Sequence, residues 1–377
     1  MSDRIRIGII GGGGIVGAHA PGYRASADRA EVVAVAEPVP EKAPRLRELF
    51  GDRIEVYPDY RDLLREADVH AVDICLPHHL HLPATVAAAE RGAHVLVEKV
   101  MARNTWECDR MIEACDRGGV SLTVCHDRRY DAAWMALKRV VDSGALGEVT
   151  YWKLDHNQDV NPATCGLSWA ADRDKLGGGA IMSCLTHQID ALRWYGGEVA
   201  EITCMTKTVP ERMAGETVGV VVARMRSGAL AHLAINWMTR SKDPAVLNSG
   251  EKTHDRSLWY EMVHVCGTRG EAYYMSGRGT YVTTHDGRDV REFVECVDPV
   301  PERGFAEVAT GTWRGHERCV SEWIKLVRGE EAEVTTSGRD VRGTVEVAEA
   351  AYRSAETRRH VSLPIEAVEW RPACASA

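Results

Sequence analysis

The chain has 377 residues, a formal net charge of −9 and 45% hydrophobic residues. This length predicts two domains, because a single hydrophobic core stops growing below this size. The basic residues are scattered and no apolar run is long enough to span a membrane, which argues against a nucleic-acid-binding or membrane-binding protein.

The eleven cysteines have no regular spacing and contain no CxxC pair. The first residues pass directly into a predicted strand, so we expect no signal peptide. In a chain without an export signal, such cysteines are expected to be reduced and mostly buried. We therefore expect a cytoplasmic protein.

The first predicted strand runs into four consecutive glycines within IRIGIIGGGGIVG, residues 5–17. A buried β-branched strand that leads into glycines and then a helix is typical of a dinucleotide-binding turn. Glycines let a pyrophosphate approach the N–H groups at the helix N-terminus. Two registers fit the fingerprint: Gly12, Gly14 and Gly17, or Gly11, Gly13 and Val16. The predicted cofactor contacts here are Gly11, Gly13, Gly14, Ile15 and Val16.

The next segments favour NAD as the dinucleotide. A predicted helix, Ala18–Ala27, leads to a second strand, Glu31–Ala36, which ends at Glu37. A carboxylate about 20 residues beyond the last glycine is where ribose hydroxyls are held. Glu37 would repel a 2′-phosphate, and Pro38-Val39 offers no arginine to bind one, so NADP is disfavoured. The alternative is that Glu37 is a solvated residue at a strand end.

Strands and helices alternate up to about His126. Such alternation predicts βαβ units and one doubly wound parallel sheet, a Rossmann domain over residues 1–127. The further predicted strands are Ile54–Val56, Ala71–Leu76, His94–Val97 and Ser121–Cys125, and the helices are Pro40–Phe50, Tyr60–Glu66, Pro83–Arg91 and Asn104–Arg117. Ligands bind beyond the carboxyl ends of such strands, where Gly13, Glu37, Pro77 and Lys99 fall.

The second part, residues 128–377, predicts an α+β domain with a mostly antiparallel sheet and helices on one face. Short turns at 226–228, 267–270 and 286–287 join several of its strands. The predicted strands are Glu148–Asp155, Val199–Lys207, Val218–Met225, Ala229–Trp237, Met262–Gly267, Glu271–Met275 and Thr280–His285, and the helices are Asp131–Ser143, Thr312–Val327 and Arg339–Thr357. We expect a long loop over 239–257 and a frayed end over 372–377.

Lys99 is the first candidate for chemistry. It follows Glu98 at the end of a buried strand, at the edge of the predicted cofactor crevice. A partly desolvated ammonium there can donate a hydrogen bond to a substrate oxygen. The alternative is a surface lysine paired with Glu98.

The second candidate segment is GGGAIMSCLTHQID, residues 177–190. Three glycines open a predicted helix, on which Ser183, His187 and Asp190 share one face, with Ile181 and Cys184 turned elsewhere. A histidine there can take a proton from a substrate hydroxyl, and Asp190 can orient the imidazole or bind substrate. The alternative is a buried histidine with a structural role.

His78, His79 and His81 with Cys75 have no second ligand pair at matching spacing, so no metal site is predicted. His81 is expected to pack at the cofactor crevice. Trp169 precedes the helix with His187, where its ring could lie against a sugar or the nicotinamide.

Together these blocks resemble the glucose–fructose oxidoreductase / inositol dehydrogenase (Gfo/Idh/MocA) family. The resemblance covers nearly the whole chain and rests on IGIIGGGGIVGAHAPGY, LPHHLH, GAHVLVEKVMA, HDRRYDAAW followed by DSGALGEV, and GGGAIMSCLTHQID. It implies a Rossmann domain, an open-faced sheet domain, and a nicotinamide cofactor between them. It also implies oxidation or reduction of a hydroxyl carbon on a sugar or cyclitol, and dimers or tetramers formed through the sheet.

The resemblance also implies residue roles. Lys99 matches the lysine of the family's Glu-Lys-Pro motif and His187 matches its catalytic histidine. Glu98 and His81 match as well, at the predicted cofactor edge, and Asp190 occupies a commonly acidic position. With Trp169 and Ser183, Asp190 is a predicted substrate contact.

The chain departs from the family pattern at three positions. Val100 replaces the usual proline, and His78 stands where asparagine is frequent. Ser183 occupies the place where many sugar dehydrogenases of the family carry the aspartate partner of the histidine. A hydroxyl cannot stabilise an imidazolium as a carboxylate does, so Asp190 is a candidate for that role.

The sequence thus favours an NAD-dependent dehydrogenase of a sugar, cyclitol or glycoside. One alternative is a redox-neutral enzyme that recycles tightly bound NAD during elimination or glycosidic cleavage, in which case NADH would not accumulate with product. Another is a non-catalytic NAD sensor, which would bind NAD without turning over any sugar.

Overall fold

The computed structural model describes residues 4–162, 168–238, 259–276, 278–297, 306–310 and 314–370. It forms two compact units. The first comprises residues 1–130, 314–345 and 367–377, and the second comprises residues 131–313 and 346–366. This division differs from the predicted split at 127/128, because the chain returns to the first unit after residue 313.

The first unit is built on a six-stranded parallel sheet of order β3-β2-β1-β4-β5-β6. This is the strand order of the Rossmann fold, with the direction of winding reversed between β1 and β4. Its apolar runs are buried on both faces, which is why they lack polar alternation. The strands are β1 Ile5–Ile10, β2 Ala30–Ala36, β3 Glu55–Tyr57, β4 Ala71–Ile74, β5 His94–Glu98 and β6 Leu122–Cys125.

Helices connect these strands. Asp59 accepts a hydrogen bond from Arg61 N at 2.8 Å and Asn104 accepts one from Glu107 N at 2.9 Å, so polar side chains cap two of the helices at their first turns. The helices are α1 Val16–Ala25, α2 Ala43–Phe50, α3 Tyr60–Glu66, α4 His81–Glu90 and α5 Thr105–Gly118, with 3₁₀ turns at Pro40–Lys42, His78–Leu80 and Asp127–Tyr130.

The segment that returns to this unit begins with helix α9, Gly315–Val327. Its buried face, which includes Val320 and Trp323, belongs to the same apolar cluster as Ile7 and Ile9 of β1. A Cβ added at Gly22 would lie 2.6 Å from Cβ of Val320. Glycine at position 22 therefore lets α1 and α9 pack closely.

The second unit is built on a nine-stranded sheet of order β14-β13-β12-β11-β7-β10-β9-β8-β15. Among the described strands β7 and β10 pair in parallel and every other neighbouring pair is antiparallel, which confirms the predicted class. The strands are β7 Val149–Gln158, β8 Val199–Lys207, β9 Val218–Met225, β10 Leu230–Asn236, β11 Trp259–Gly267, β12 Gly270–Met275, β13 Gly279–Thr284, β14 Ala306–Thr310 and β15 Val361–Ser362.

One face of this sheet is covered and the other is open. Trp134 packs against Tyr274 and Tyr195 stacks on Trp152 on the covered face. On the open face Met205, Val222 and Leu230 are exposed. The helices are α6 Ala132–Asp142, α7 Arg173–Leu176, α8 Thr186–Gly196 and α10 Gly338–Thr357, whose residues up to 345 belong to the first unit.

Several expectations need correction. Strands β14 and β15 were not predicted, since each is short. The turn at 286–287 leads into a 3₁₀ turn, Val290–Glu292, and so does not join two strands directly. The predicted loop at 239–257 and the end at 372–377 lie outside the described residues. In the described part of the chain no helix is long and apolar enough to span a membrane.

Candidate active site

The glycine turn after β1 presents bare backbone at its tip. Gly11 has φ +102°, and a Cβ on it would lie 2.5 Å from the Cys75 carbonyl oxygen, so only glycine fits. A Cβ on Gly13 or Gly14 would have no atom within 4 Å. The apolar Ile15 stands at the N-cap of α1 and Val16 is its first residue, so the turn ends at a helix N-terminus that no polar cap side chain occupies. This arrangement fits a pyrophosphate.

Glu37 lies beside this turn. Its Oε2 accepts a hydrogen bond from Gly12 N at 2.9 Å, and its Oε1 accepts one from Val39 N at 3.0 Å. Register pairs Ile10 with Ala36, so the glycine turn and Glu37 follow their strands at the same level of the sheet edge. The carboxylate is therefore at the position that the fingerprint predicts for holding ribose hydroxyls.

Two cations beside the turn were not predicted. Lys42 Nζ lies 3.0 Å from Glu37 Oε2, and Arg45 donates to the carbonyl oxygens of Gly13 and Gly14 at 3.2 and 3.4 Å. They lie in the helical segment after Glu37, for which only a helix was predicted. The signal in the sequence was that a helix containing Lys42 and Arg45 directly follows Glu37.

His81 holds two loops at this edge. Its Nε2 lies 2.8 Å from the Leu76 carbonyl oxygen, and its Nδ1 lies 2.9 Å from that of Val100. Burial lowers the pKa of His81, and the neighbouring carbonyl groups oppose that shift. Pro77 begins the 3₁₀ turn between β4 and α4. With both ring nitrogens on backbone carbonyls, His81 ties the loop after β4 to the loop after β5, and its packing at the cofactor crevice stays a prediction.

Strand β5 ends at Glu98, which Lys99 follows, and Glu98 belongs to a buried charge cluster that sequence reasoning missed. His19 on α1 bridges two carboxylates: Nδ1 is 2.8 Å from Asp73 Oδ2 and Nε2 is 2.9 Å from Glu98 Oε1. The second oxygen of Glu98 accepts a hydrogen bond from Lys99 N at 3.1 Å. The peptide bond between Lys99 and Val100 is cis.

In this cluster the neighbouring charges shift the pKa values more than burial does. Burial alone would lower the pKa of His19, but Asp73 raises it well above its usual value. Burial alone would raise the pKa of Glu98, but the hydrogen bond and charge of His19, with smaller contributions from His316 and Lys99, lower it to about 2. His19 is therefore an imidazolium between two carboxylates. The spacing of four residues between His19 and Tyr23 on α1 could have indicated that both face the same cluster. Tyr23 donates a hydrogen bond to Asp73 at 2.8 Å.

In the second unit the predicted glycine-opened helix is three elements. Helix α7 ends at Gly177, a π turn spans Ile181–Leu185, and α8 begins at Thr186. The hydroxyl of Tyr352 accepts hydrogen bonds from Gly179 N at 2.9 Å and Met182 N at 3.1 Å. A Cβ on Gly178 would lie 2.2 Å from this hydroxyl, so the glycine makes room for it.

Glu216 completes this support. Its Oε1 accepts hydrogen bonds from Ile181 N at 2.8 Å and from the Tyr352 hydroxyl at 2.9 Å. Burial raises the pKa of the Glu216 carboxyl to about 7, although these hydrogen bonds act in the opposite direction. The π turn is thus held by two side chains that are distant in sequence.

The π turn changes how the candidate residues face. Because its hydrogen bonds skip one more residue than in an α-helix, the 3.6-residue period fails across 181–185. Cys184, expected on another face, is half-buried like Ser183, and its Sγ lies 3.7 Å from Ser183 Oγ. His187 and Asp190 are both buried on α8.

A second missed pair lies beside His187. The ring of His156 stacks on that of His187 with centroids 6.5 Å apart, and His156 Nδ1 lies 3.0 Å from Glu261 Oε1. On β7 the buried positions are Trp152, Leu154 and His156. The alternation of buried positions along β7 could have indicated that His156 faces the core. Its partner Glu261 lies on another strand, so no local pattern indicated the pair.

Two family models match the sequence. One describes an oxidoreductase family with an NAD-binding Rossmann fold and matches residues 5–126, and the other describes the GFO/IDH/MocA C-terminal domain and matches residues 134–273. The chain belongs to the Gfo/Idh/MocA family of oxidoreductases.

Relatives in this family cover most of the chain. Levoglucosan dehydrogenase of Pseudarthrobacter phenanthrenivorans is 29% identical over 82% of this chain and 81% of its own length. Myo-inositol 2-dehydrogenase of Thermotoga maritima is 25% identical over 95% of this chain and 98% of its own length. The WlbA dehydrogenase of Bordetella pertussis, solved with NADH and UDP-GlcNAcA, has the same fold, with a TM-score of 0.80, 23% identity, and coverage of 97% of this chain and 100% of its own.

The family's NAD-binding domain is the first unit, which carries the glycine turn, Glu37 and Lys99. The second unit carries the other candidates. Trp169 is half-buried in a 3₁₀ turn, Ser168–Ala171, next to residues 163–167, which lie outside the described part. Ser183, His187 and Asp190 lie on the π turn and α8.

Proposed function

We propose that this family member transfers hydride between NAD and a hydroxyl-bearing carbon of a sugar, cyclitol or glycoside. The observation that carries the proposal is Lys99, which follows β5 at the same carboxyl edge of the parallel sheet as the glycine turn after β1. The levoglucosan and myo-inositol dehydrogenases among its relatives support the substrate class. NAD, when bound, supplies the hydride acceptor.

Lys99 is proposed to polarise the substrate oxygen. The charge cluster behind it fixes the main chain at this position, because Glu98 accepts the Lys99 N–H while His19 holds Glu98. Lys99 itself is half-buried. An ammonium in that setting donates a stronger hydrogen bond to oxygen than one in bulk water.

His187 is proposed to take the hydroxyl proton during oxidation and return it during reduction. Its ring lies against His156, which is paired with Glu261. Ser183, Asp190 and Trp169 are the proposed substrate contacts. Ser183 cannot supply the charge that an aspartate would, and Asp190 is proposed to do so.

The kinetic test is Lys99→Met in the full-length protein. We expect turnover to fall by at least about a hundredfold, as for loss of a group that acts on the reacting oxygen, with NAD affinity within about threefold of wild type. Lys325→Met is the matched control, because Lys325 lies in the same unit and forms a partly exposed ion pair with Glu331. Equal losses of turnover and NAD affinity would show that Lys99 only supports the cofactor.

The reaction type has its own test. Purified protein is incubated with NAD and a panel of sugars, cyclitols and glycosides while NADH absorbance and product are both measured. We expect one NADH for each product molecule. Product without NADH would indicate redox-neutral chemistry, and NAD binding without product across the panel would indicate a sensor.

The open face of the second sheet is the proposed surface for self-association. Met205 is 76% exposed, Val222 51% and Leu230 44%, on adjacent strands β8, β9 and β10. Grouped apolar side chains of this kind mark interfaces, and a homodimer or homotetramer would cover them. Light scattering should give a multiple of the 41.5 kDa chain mass, and Val222→Asp should reduce it. A monomeric wild type would refute this proposal.

The proposed compartment is the cytoplasm. Buried cysteines outside any disulfide, such as Cys75, Cys125 and Cys204, are the form expected in a reducing environment. Fractionation of the source cells followed by immunodetection tests this, and recovery outside the cytoplasmic fraction would refute it.

A further inference from the structure

A group of nitrogen, sulfur and oxygen donors lies on the open face of the second sheet. Along β11, Val263 and Val265 are buried, so His264 and Cys266 project from the opposite face, since side chains alternate along a strand. Strand pairing places Cys266 directly opposite Glu271 of β12. The pleat and the register together therefore bring an imidazole, a thiol and a carboxylate to one spot.

The donor atoms are close to one another. His264 Nε2 lies 2.8 Å from Glu271 Oε2 and 3.1 Å from Cys266 Sγ, and Cys266 Sγ lies 4.0 Å from Glu271 Oε2. Ligand atoms around a tetrahedral zinc ion lie about 3.3 to 3.6 Å apart, given bond lengths of about 2.0 Å to nitrogen and oxygen and about 2.3 Å to sulfur. Shifts of less than about 1 Å would therefore convert this cluster to zinc geometry.

A fourth donor is within reach. His285 follows β13 directly, and its Nε2 lies 3.9 Å from Glu271 Oε1. Half of the His285 side chain is exposed, so its ring can turn without disturbing the core. Strands β11 and β12 and the residue after β13 thus supply the donor set His264, Cys266, Glu271 and His285.

Tyr273 orients two of these donors. Its ring stacks on His264 with centroids 4.1 Å apart and planes at 14°, and its hydroxyl donates to Glu271 Oε2 at 3.1 Å. Contacts of this kind behind the ligands commonly fix the orientation of imidazole and carboxylate in metal sites. Tyr273 also lies opposite His264 in the strand register.

We propose that His264, Cys266, Glu271 and His285 bind one Zn²⁺ ion on the open face of the second sheet. Thiolate and imidazole donors suit zinc, whereas Mg²⁺ and Ca²⁺ take oxygen ligands. On binding, the Cys266 thiol gives its proton to solvent and its sulfur forms a bond to the metal. His264 and Glu271 are partly exposed, with 19% and 24% of their side chains accessible, so an ion can reach them from solution.

A second donor cluster in the protein is less suited to a metal. His19, Glu98, Cys125 and His316 also lie close together, but His19 and Glu98 are buried and hydrogen-bonded to each other at 2.9 Å. A metal there would have to break that charge-assisted bond and enter through packed residues. The cluster on β11 and β12 also contains a hydrogen bond, between His264 and Glu271 at 2.8 Å, but both side chains are partly exposed, so an ion can reach them without passing through packed residues.

The test uses the full-length protein after treatment with a chelator. Inductively coupled plasma mass spectrometry after Zn²⁺ loading and desalting should give one equivalent per chain. Co²⁺ serves as the spectroscopic probe, because a cobalt–thiolate bond gives a near-ultraviolet charge-transfer band and tetrahedral coordination gives intense visible bands. Both signals should reach a plateau at one equivalent.

Three variants decide the assignment. Cys266→Ser should abolish the cobalt–thiolate band and weaken Zn²⁺ binding at least tenfold. His285→Gln should keep the band and weaken Zn²⁺ binding at least threefold. Cys296→Ser is the matched control, since Cys296 is another half-buried thiol of the same unit, and it should change neither. If Cys296→Ser binds metal like the wild type, the losses in the other two variants are specific to the proposed site.

Two results would overturn the proposal. One is wild-type protein that retains no stoichiometric Zn²⁺ and shows no cobalt–thiolate band. The other is a band or affinity that persists in Cys266→Ser, which would place the metal elsewhere. Circular dichroism of each variant shows whether it is folded, and His285→Gln, at an exposed position, tests the site independently of Cys266.

Discussion

The two units support their candidate residues with buried polar clusters that follow opposite electrostatic rules. Behind Lys99, Glu98 is buried next to a cation, His19, and its pKa falls to about 2. Ahead of His187, Glu216 is buried against neutral partners, Ile181 N and the Tyr352 hydroxyl, and its pKa rises to about 7. The comparison shows that the charge of the partner, more than the depth of burial, decides the state of a buried carboxyl.

The difference has a functional consequence. Behind Lys99, the pKa of His19 lies well above its usual value and that of Glu98 is about 2, so the pair that holds the main chain at Lys99 keeps its charges near neutral pH. The support of the π turn changes its charge near neutral pH, because Glu216 titrates there. Stability should therefore fall with rising pH through both units, from pH 4.5 to about 7 through Glu216 and above pH 6.5 through His19, because each group holds its proton more tightly in the folded state than in the unfolded state.

Removing the cation from the first cluster should have the largest effect. In His19→Leu, Asp73 and Glu98 stay buried without the imidazolium that pairs with both. Removing one partner of a buried ion pair costs about 3 to 5 kcal/mol of unfolding free energy. Urea unfolding followed by tryptophan fluorescence measures it.

The control for this loss is Arg65→Ala, which removes exposed ion pairs with Asp62 and Glu66 in the same unit. Exposed pairs contribute about 0 to 1 kcal/mol, so this variant should stay near wild type. A loss below about 1 kcal/mol in His19→Leu would mean that the cluster is not held by charge.

Glu216→Gln should have the next largest effect, with the opposite sign. Glutamine keeps an oxygen acceptor for Ile181 N and Tyr352 but carries no charge to desolvate. The Glu216 pKa rises on folding from 4.5 to about 7, so folded wild type binds the proton more tightly than unfolded wild type. Wild-type stability therefore falls as pH rises from 4.5 through 7, and the variant lacks this decline.

The expected gain for Glu216→Gln is about 3 kcal/mol above pH 7 and close to zero below pH 4.5, since each pKa unit corresponds to about 1.4 kcal/mol. Chemical denaturation of both proteins at several pH values measures it. Glu198→Gln, at a partly exposed carboxylate of the same unit, serves as control and should show no such rise above neutral pH. A constant difference at all pH values would assign another role to Glu216.

Local patterns in the sequence predicted most of the fold. Helix Tyr60–Glu66 and strands Val199–Lys207 and Val218–Met225 have the predicted bounds, because capping residues and two-residue alternation act within a few positions. The positions of the glycine turn and Glu37 after their strands were predicted because their spacing is set by one βαβ unit. The position of Lys99 after β5 was predicted because the strand is recognisable, and the roles of these residues stay predictions.

The missed features depend on contacts between distant residues. The π turn at Ile181–Leu185 is held by Tyr352, which lies 170 positions beyond Met182. The His156–Glu261 pair joins two strands whose register the sequence alone does not fix. Helix α9 packs into the first unit, and nothing in its own amphipathic pattern indicates which core receives it.

Tyr352→Phe tests the support of the π turn, where the partners of the buried carboxyl are neutral. The variant removes the hydroxyl that accepts from Gly179 N and Met182 N and donates to Glu216. Leaving buried donors unsatisfied costs about 1 to 3 kcal/mol. Thermal and urea unfolding should show this loss, while NAD affinity should not change, since these residues belong to the second unit.

Tyr151→Phe is the matched control for Tyr352→Phe, because Tyr151 is exposed on the open face of the same sheet. It should change unfolding free energy by less than about 0.5 kcal/mol, as surface substitutions usually do. Equal effects of the two substitutions would show that the hydroxyl does not support the π turn.

The smallest effect on stability is expected for Gly13→Ala in the turn before α1, and comparison with Gly22→Ala within α1 separates NAD binding from helix packing. In Gly13→Ala the new methyl group meets no protein atom within 4 Å, so stability should stay within about 0.5 kcal/mol of wild type. The same methyl occupies the space through which a pyrophosphate approaches, so the Kd for NAD should rise about tenfold, or about 1.4 kcal/mol.

Gly22→Ala should behave in the reverse way, because its methyl would lie 2.6 Å from Val320 and would strain the packing of α1. Calorimetric NAD titration and urea unfolding of both variants measure the contrast. Wild-type NAD affinity in Gly13→Ala would show that the phosphates do not approach the chain at this glycine.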